Sequence, residues 1–131
     1  MLLLEFTSIY YRVLGVKGVA DIDLETLLKI AGEKPYQGPD YSAKRRKLTK
    51  KLKEIFAKHF NEKADRIIES LTSRRGFTPS DQLLKYSSKA FERIVDEIIA
   101  ACKVFMEFDE NKEKELKRDI LRVVIEVKND P

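Results

Sequence analysis

The chain has one cysteine, one histidine and no tryptophan among its 131 residues. A lone Cys102 leaves no partner for an internal disulfide and fits a reducing compartment, so a cytoplasmic protein is expected. With His59 as the sole imidazole, no zinc cluster of His and Cys can be assembled within one chain, and a metal would need carboxylates alone. Neither a metal nor a cofactor is therefore expected. Glycine is also scarce, with five in all, and Gly15 and Gly18 match neither the GxxxxGK nor the GxGxxG spacing of phosphate-cradling loops. That argues against nucleotide hydrolysis. The longest apolar runs are Met1 to Leu4 and Ile98 to Cys102, far below the roughly 20 residues that span a bilayer. Met1 to Leu14 carries Glu5 and Arg12 and no small-residue cleavage pattern, so it does not read as a signal peptide. Amide side chains are few: two glutamines and three asparagines stand beside 26 basic and 22 acidic residues, a usage reported for hyperthermophiles. A thermophilic source is expected.

What is present is helical periodicity. At 43% hydrophobic and 37% charged, with a mean hydropathy of −0.40, the composition supports one core of ordinary domain size. Leu2, Phe6, Ile9, Tyr10, Val13 and Leu14 have helical spacing closed by Gly15. A second short helix begins at Asp21 or Asp23, buries Leu24, Leu27, Leu28 and Ala31, and ends at Gly32. Residues 33–41 contain Pro35, Gly38 and Pro39 and must form a loop. Ser42 then caps a helix with Leu48, Leu52, Ile55, Phe56, His59 and Phe60 on one face. Asn61 either interrupts that helix or continues it into Ala64, Ile67, Ile68 and Leu71. Thr78-Pro79-Ser80-Asp81 is a strong start signal, with a hydroxyl at the N-cap, proline at the first helical position and an acid at the third. From Pro79 to Met106 the pattern Leu84, Ser87, Phe91, Ile94, Ile98, Cys102 and Phe105 recurs without Gly or Pro, so the spacing predicts one central helix over 79–106. After Asp109, Leu116, Ile120, Val123, Val124 and Val127 continue helical spacing, although 121–127 is β-branched enough to be a strand. The fold class expected is all-α: a single-domain bundle of five or six helices over 1–131 with one long central helix.

Charge is unevenly placed. The net charge is +4, yet residues 42–75 alone hold twelve basic and four acidic residues, a local excess of eight. Lys44, Arg45, Arg46, Lys47, Lys50, Lys51 and Lys53 lie within ten residues, and Lys58 follows on the same helix. Glu54 is the only acid between Lys44 and Asn61, so the stretch lacks the i,i+4 acids that usually neutralise a solvated helix face. Such a surface attracts phosphates by counterion release without reading sequence. Arg74 and Arg75 can reach a phosphate from the turn before Gly76, or cap the preceding helix. Tyr36, Tyr41 and Phe77 flank the basic stretch and could stack on unpaired bases, or pack against neighbouring helices. The expected partner is DNA or RNA, met mainly through phosphates. The apolar side chains Ile94, Val95, Ile98, Ile99, Val104, Phe105 and Met106 offer more surface than short partner helices cover, which points to a homodimer or a subunit of a larger complex.

Catalytic chemistry is thin. His59 on an apolar face reads as a hydrogen-bonded boundary imidazole, and Cys102 as a small core residue. Glu126 and Lys128 in Ile125-Glu126-Val127-Lys128 resemble the E-x-K strand end of PD-(D/E)xK nucleases, which implies a Mg²⁺ carboxylate and a water-activating lysine. The departure is that this fold continues with a helix and a strand where only three residues follow Lys128. A helix-turn-helix regulator would use Leu48 to Phe60 and Ala64 to Leu71, but its connection lacks glycine and its second helix carries Asp65 and Glu69. The small, helical, locally basic format is similar to helical accessory subunits of nucleoprotein machines such as CRISPR effector complexes. The expected function is non-catalytic binding of a nucleic-acid backbone within such an assembly. The plain alternative is a protein-interaction subunit with a solvated basic face.

Overall fold

The computed structural model of the chain describes residues 22–75 and 78–129; the helix predicted over 2–14 and the aromatic Phe77 lie outside these. The described residues form six α-helices and no strand: α1 (Leu24–Ala31), α2 (Tyr41–Phe60), α3 (Ala64–Arg75), α4 (Pro79–Lys85), α5 (Ser88–Phe105) and α6 (Glu110–Asn129). A 3-10 turn over Asn61–Lys63 joins α2 to α3. The all-α expectation holds, and the segment 121–127 is helix, since the β-branched residues of α6 find a continuous apolar groove to fill.

Local chemistry explains most boundaries. Asp23 caps α1 by accepting from Thr26 N–H at 2.7 Å. Thr78 caps α4 through Asp81 N–H at 3.4 Å, with Pro79 in the first turn where no amide hydrogen is needed. Asp109 caps α6 through Lys112 N–H at 2.8 Å. α2 begins at Tyr41, one residue before the predicted capping Ser42, and its N-cap Asp40 makes no capping bond because its carboxylate accepts the Tyr36 hydroxyl instead. Asn61 does interrupt the helix: its φ of 56° lies in the left-handed region that asparagine tolerates better than most residues.

The central helix predicted over 79–106 is broken. Tyr86 and Ser87 are extended and Ser88 has φ 53°, so α4 stops and α5 starts anew without Gly or Pro. Tertiary hydrogen bonds overrule the local preference. Tyr36 N–H donates to Leu84 O at 2.7 Å, and Ser88 N–H donates to Gly32 O at 2.7 Å, so the loop after α1 takes bonds that a continuous helix would make internally. Ser87 was the one polar member of the predicted stripe. The longest helices among the described residues are instead α2 and α6, of 20 residues each, and a 3-10 turn leads from α2 into α3.

α6 lies against both α1 and α2, and among the described helices α2 and α6 pack on each other most extensively. The core contains Leu48, Phe56, Phe91, Ile98, Leu116 and Ile120, each almost wholly out of solvent. Ile94, Val95, Ile98 and Ile99, offered above as surplus apolar surface, are buried within the chain itself. Among the described residues, Val104 and Tyr86 are the exposed large hydrophobics, so that argument for self-association loses its surface. No described helix is long and apolar enough to cross a membrane.

The α1–α5 junction gives a direct check. A Cβ at Gly32 would stand 2.5 Å from Cδ1 of the fully buried Phe91, while the Gly32 φ of −100° suits any residue. The substitution Gly32→Ala is therefore expected to destabilise by overpacking alone, by about 1 to 3 kcal/mol in urea unfolding. An unchanged midpoint would contradict this junction.

Candidate nucleic-acid interface

Successive residues of α2 step about 100° around its axis. Leu48, Leu52, Ile55, Phe56 and His59 therefore share one side, all buried, and Arg46, Lys50 and Lys53 share the opposite side, all exposed. Lys47 is exposed beside them. The two flanks between these faces are where the structure departs from a simple basic surface.

On one flank, Lys51 lies 3.9 Å from Glu126 and Lys58 lies 3.4 Å from Asp119, both carboxylates belonging to α6. On the other, Arg45 lies 3.6 Å from Asp81 of α4, which also accepts the Tyr41 hydroxyl at 2.8 Å. Lys44 is not at the surface at all: it is only 5% exposed, with its ammonium 5.9 Å from the centroid of the Tyr36 ring. Lys44 stands one turn before Leu48 and on the same side as Ile55, so the helix period turns its stem towards the core, and the Tyr36 ring of the 33–40 loop lies near its ammonium. Of the eight cations of α2, Lys44 is thus withdrawn and Arg45, Lys51 and Lys58 are engaged by carboxylates of other helices. Among the described residues, Arg46, Lys50 and Lys53 face no carboxylate partner.

Tyr36 and Tyr41 are half-buried against the core, with their hydroxyls donated to Asp40 and Asp81. Burial, reinforced by those carboxylate bonds, pushes both phenols up to about 12. Lys85 sits 6.0 Å from the Tyr41 ring centroid. Both rings serve the packing at the ends of the loop. Arg74 and Arg75 close α3 in the backbone; their side chains lie outside the described residues.

The acids that the sequence reading missed are Asp81, Asp119 and Glu126. None has helical spacing to α2, and only the fold brings α4 and α6 alongside it. Asp119 is buried, only 7% exposed; its Oδ2 accepts from His59 Nε2 at 2.8 Å, and Arg122 stands 3.7 Å from Oδ1. Glu115, one turn earlier on α6, brings its carboxylate to the same place, so donor atoms of His59, Glu115 and Asp119 lie within 4.8 Å of one another. A metal here would not rely on carboxylates alone, contrary to the sequence expectation. His59 is the hydrogen-bonded imidazole expected. Cys102 is fully buried, and burial pushes its thiol up to about 12, far from a reactive thiolate.

Glu126 and Lys128 do not form the end of a strand. They lie two residues apart on α6, about 200° around the helix, so Glu126 meets Lys51 while Lys128 turns to α1. Lys128 donates to Ala31 O at 2.7 Å and Lys34 O at 2.9 Å, and its ammonium lies 5.2 Å from the Phe91 ring centroid. It caps the C-terminal end of α1. No protein-family model, curated protein or solved structure matches this chain.

The burial of Lys128 has a measurable signature. Burial lowers its ammonium from the usual 10.5 to about 8. Between those values the unfolded chain binds the extra proton, so the contribution of Lys128 to stability is least below about pH 8 and rises as pH climbs towards 10.5. The stability difference between the parent and Lys128→Met should move in the parent's favour by about 2 kcal/mol from about pH 7 to about pH 10. Subtracting the variant cancels the titration of Cys102 and the tyrosines. A difference that stays flat, in urea unfolding at both pH values, would contradict the buried ammonium.

Proposed function

We propose that this chain is a small non-catalytic subunit that holds a nucleic-acid backbone along the outer stripe of α2. The observation that carries this reading is the division of the α2 cations. Three of them pair with carboxylates of neighbouring helices, whereas Arg46, Lys50 and Lys53 stand exposed on the side away from the core and meet no acid among the described residues. A helix that needed cations only for folding would carry them on the flanks. Along the axis Arg46 and Lys53 are about 10 Å apart, with Lys50 between them, a spacing set by the 1.5 Å rise per residue. Three cations in a row attract successive phosphates through counterion release and carry no information about the bases.

A regulator reading α3 as a recognition helix is less well supported, because Asp65 and Glu69 are exposed on α3 and would face phosphate. An acidic protein surface would meet the same stripe, and the experiment separates the two.

Binding of single- and double-stranded DNA and RNA should be detectable at low salt and should fall steeply as salt rises. Replacing Arg46, Lys50 and Lys53 together by Ala should flatten the slope of log K against log salt by about two to three units and weaken all sequences alike. Exposed positions of this kind change stability by about 0.5 kcal/mol or less each, so the variant should stay folded. A parent that binds no nucleic acid at low salt, or a triple variant that binds as the parent does, would overturn the proposal and leave the stripe as a dock for an acidic protein.

A further inference from the structure

Beneath the flank of α2 lies a group that nucleic-acid binding does not use. From the convergence of His59, Glu115 and Asp119 we infer that the chain binds one divalent transition-metal cation of the Zn²⁺ class between α2 and α6. The inference is independent of the reading above, since neither Glu115 nor Asp119 belongs to the exposed stripe.

The geometry is close to what such an ion requires. Asp119 and Glu115 stand i,i+4 on α6 and project from one face. His59 reaches them from α2, with Nε2 already 2.8 Å from Asp119 Oδ2 and the three donor atoms within 4.8 Å of one another. Tetrahedral zinc with bonds of about 2.0 to 2.2 Å separates its donors by about 3.3 to 3.5 Å. The His59–Asp119 contact must therefore open by about half an ångström and Glu115 must close by about one. Glu115 is exposed and free to rotate in, while the side chains of His59 and Asp119, 2% and 10% exposed, are held by packing. Two rigid donors and one mobile donor leave a fourth position open to solvent for water. The mixture of imidazole and carboxylate selects zinc-like ions over Mg²⁺ or Ca²⁺, which prefer oxygen donors throughout.

Binding has a definite competitor. Without the ion, the Asp119 carboxylate is compensated by the ammonium of Lys58 at 3.4 Å and the guanidinium of Arg122 at 3.7 Å. Both side chains are substantially exposed, at 61% and 42%, and can swing into water when the ion arrives. The ion takes the place of the hydrogen between Nε2 and Oδ2, and the metal-bound ring is the neutral tautomer whose single proton is on Nδ1. Removing Lys58 should thus tighten binding, which a purely structural role for the His59–Asp119 pair would not bring about.

The test uses the whole chain and Zn²⁺ itself. His59 is the only histidine, so its ring resonances in an NMR titration report on this site alone. They should shift and saturate at one equivalent, with Mg²⁺ in excess producing no change. Because replacing buried His59 disturbs the core, the deciding variants are the exposed ones. Glu115→Gln should raise the zinc needed for half-saturation about tenfold or more, and Lys58→Ala should lower it. Ring resonances that do not move in excess zinc, or a half-saturation that Glu115→Gln leaves unchanged, would overturn the site.

Discussion

A carboxylate held out of water between two helices organises this molecule. Asp119 sits in the seam where α6 lies along α2, among Leu116, Ile120, Val123 and Ile55. An ionised carboxylate in such a place is unfavourable unless paired and hydrogen-bonded. Here it receives the His59 ring bond, with Lys58 and Arg122 at its rim. Apolar seams tolerate sliding, since one leucine resembles the next. A single polar pair does not, because a slip of one turn would part His59 from Asp119 and, in one direction, set the ring against Val123. The pair therefore fixes how α2 and α6 meet, and with that the direction in which the rest of α2 points.

Once α2 is set in this way, its cations separate by angle. Arg45, Lys51 and Lys58 on the flanks meet Asp81, Glu126 and Asp119, and Arg46, Lys50 and Lys53, opposite the core, meet no acid among the described residues. The flank pairs are partly exposed and each contributes little to stability on its own, of order 0 to 1 kcal/mol. Their consequence is geometric: they reduce a broad basic surface to a narrow stripe. The same seam brings a buried imidazole against two carboxylates, so the interaction that orders the helices also supplies the donors for a cation.

Much of the fold was legible in the sequence because its signals are local. The caps at Asp23, Thr78 and Asp109 rest on side chains within three residues of the bonds they make, and the buried face of α2 follows from spacing alone. The break at Tyr86-Ser87-Ser88 was not legible, since the bonds that impose it, Tyr36 to Leu84 and Gly32 to Ser88, span 48 and 56 residues of chain. Ser87, polar within an apolar stripe, was the one hint. The candidate interface shows the same division. Exposure of Arg46, Lys50 and Lys53 and burial of Lys44, one turn before Leu48, follow from the helix period, whereas the pairing of Lys51 and Lys58 depends on elements that no spacing within α2 reveals. Counting charge along one helix overstated the free surface because the neutralising acids lie on other helices.

The claim that Asp119 and His59 together fasten α2 to α6 is tested most directly by a double-mutant cycle. Unfolding free energies of the parent, His59→Ala, Asp119→Ala and the double variant would be measured in metal-free buffer. If the buried pair acts as described, either single change strands a buried polar group, and the two losses combine with a coupling energy of about 1 kcal/mol or more. Losses that simply add, with coupling within about 0.3 to 0.5 kcal/mol of zero, would contradict the account.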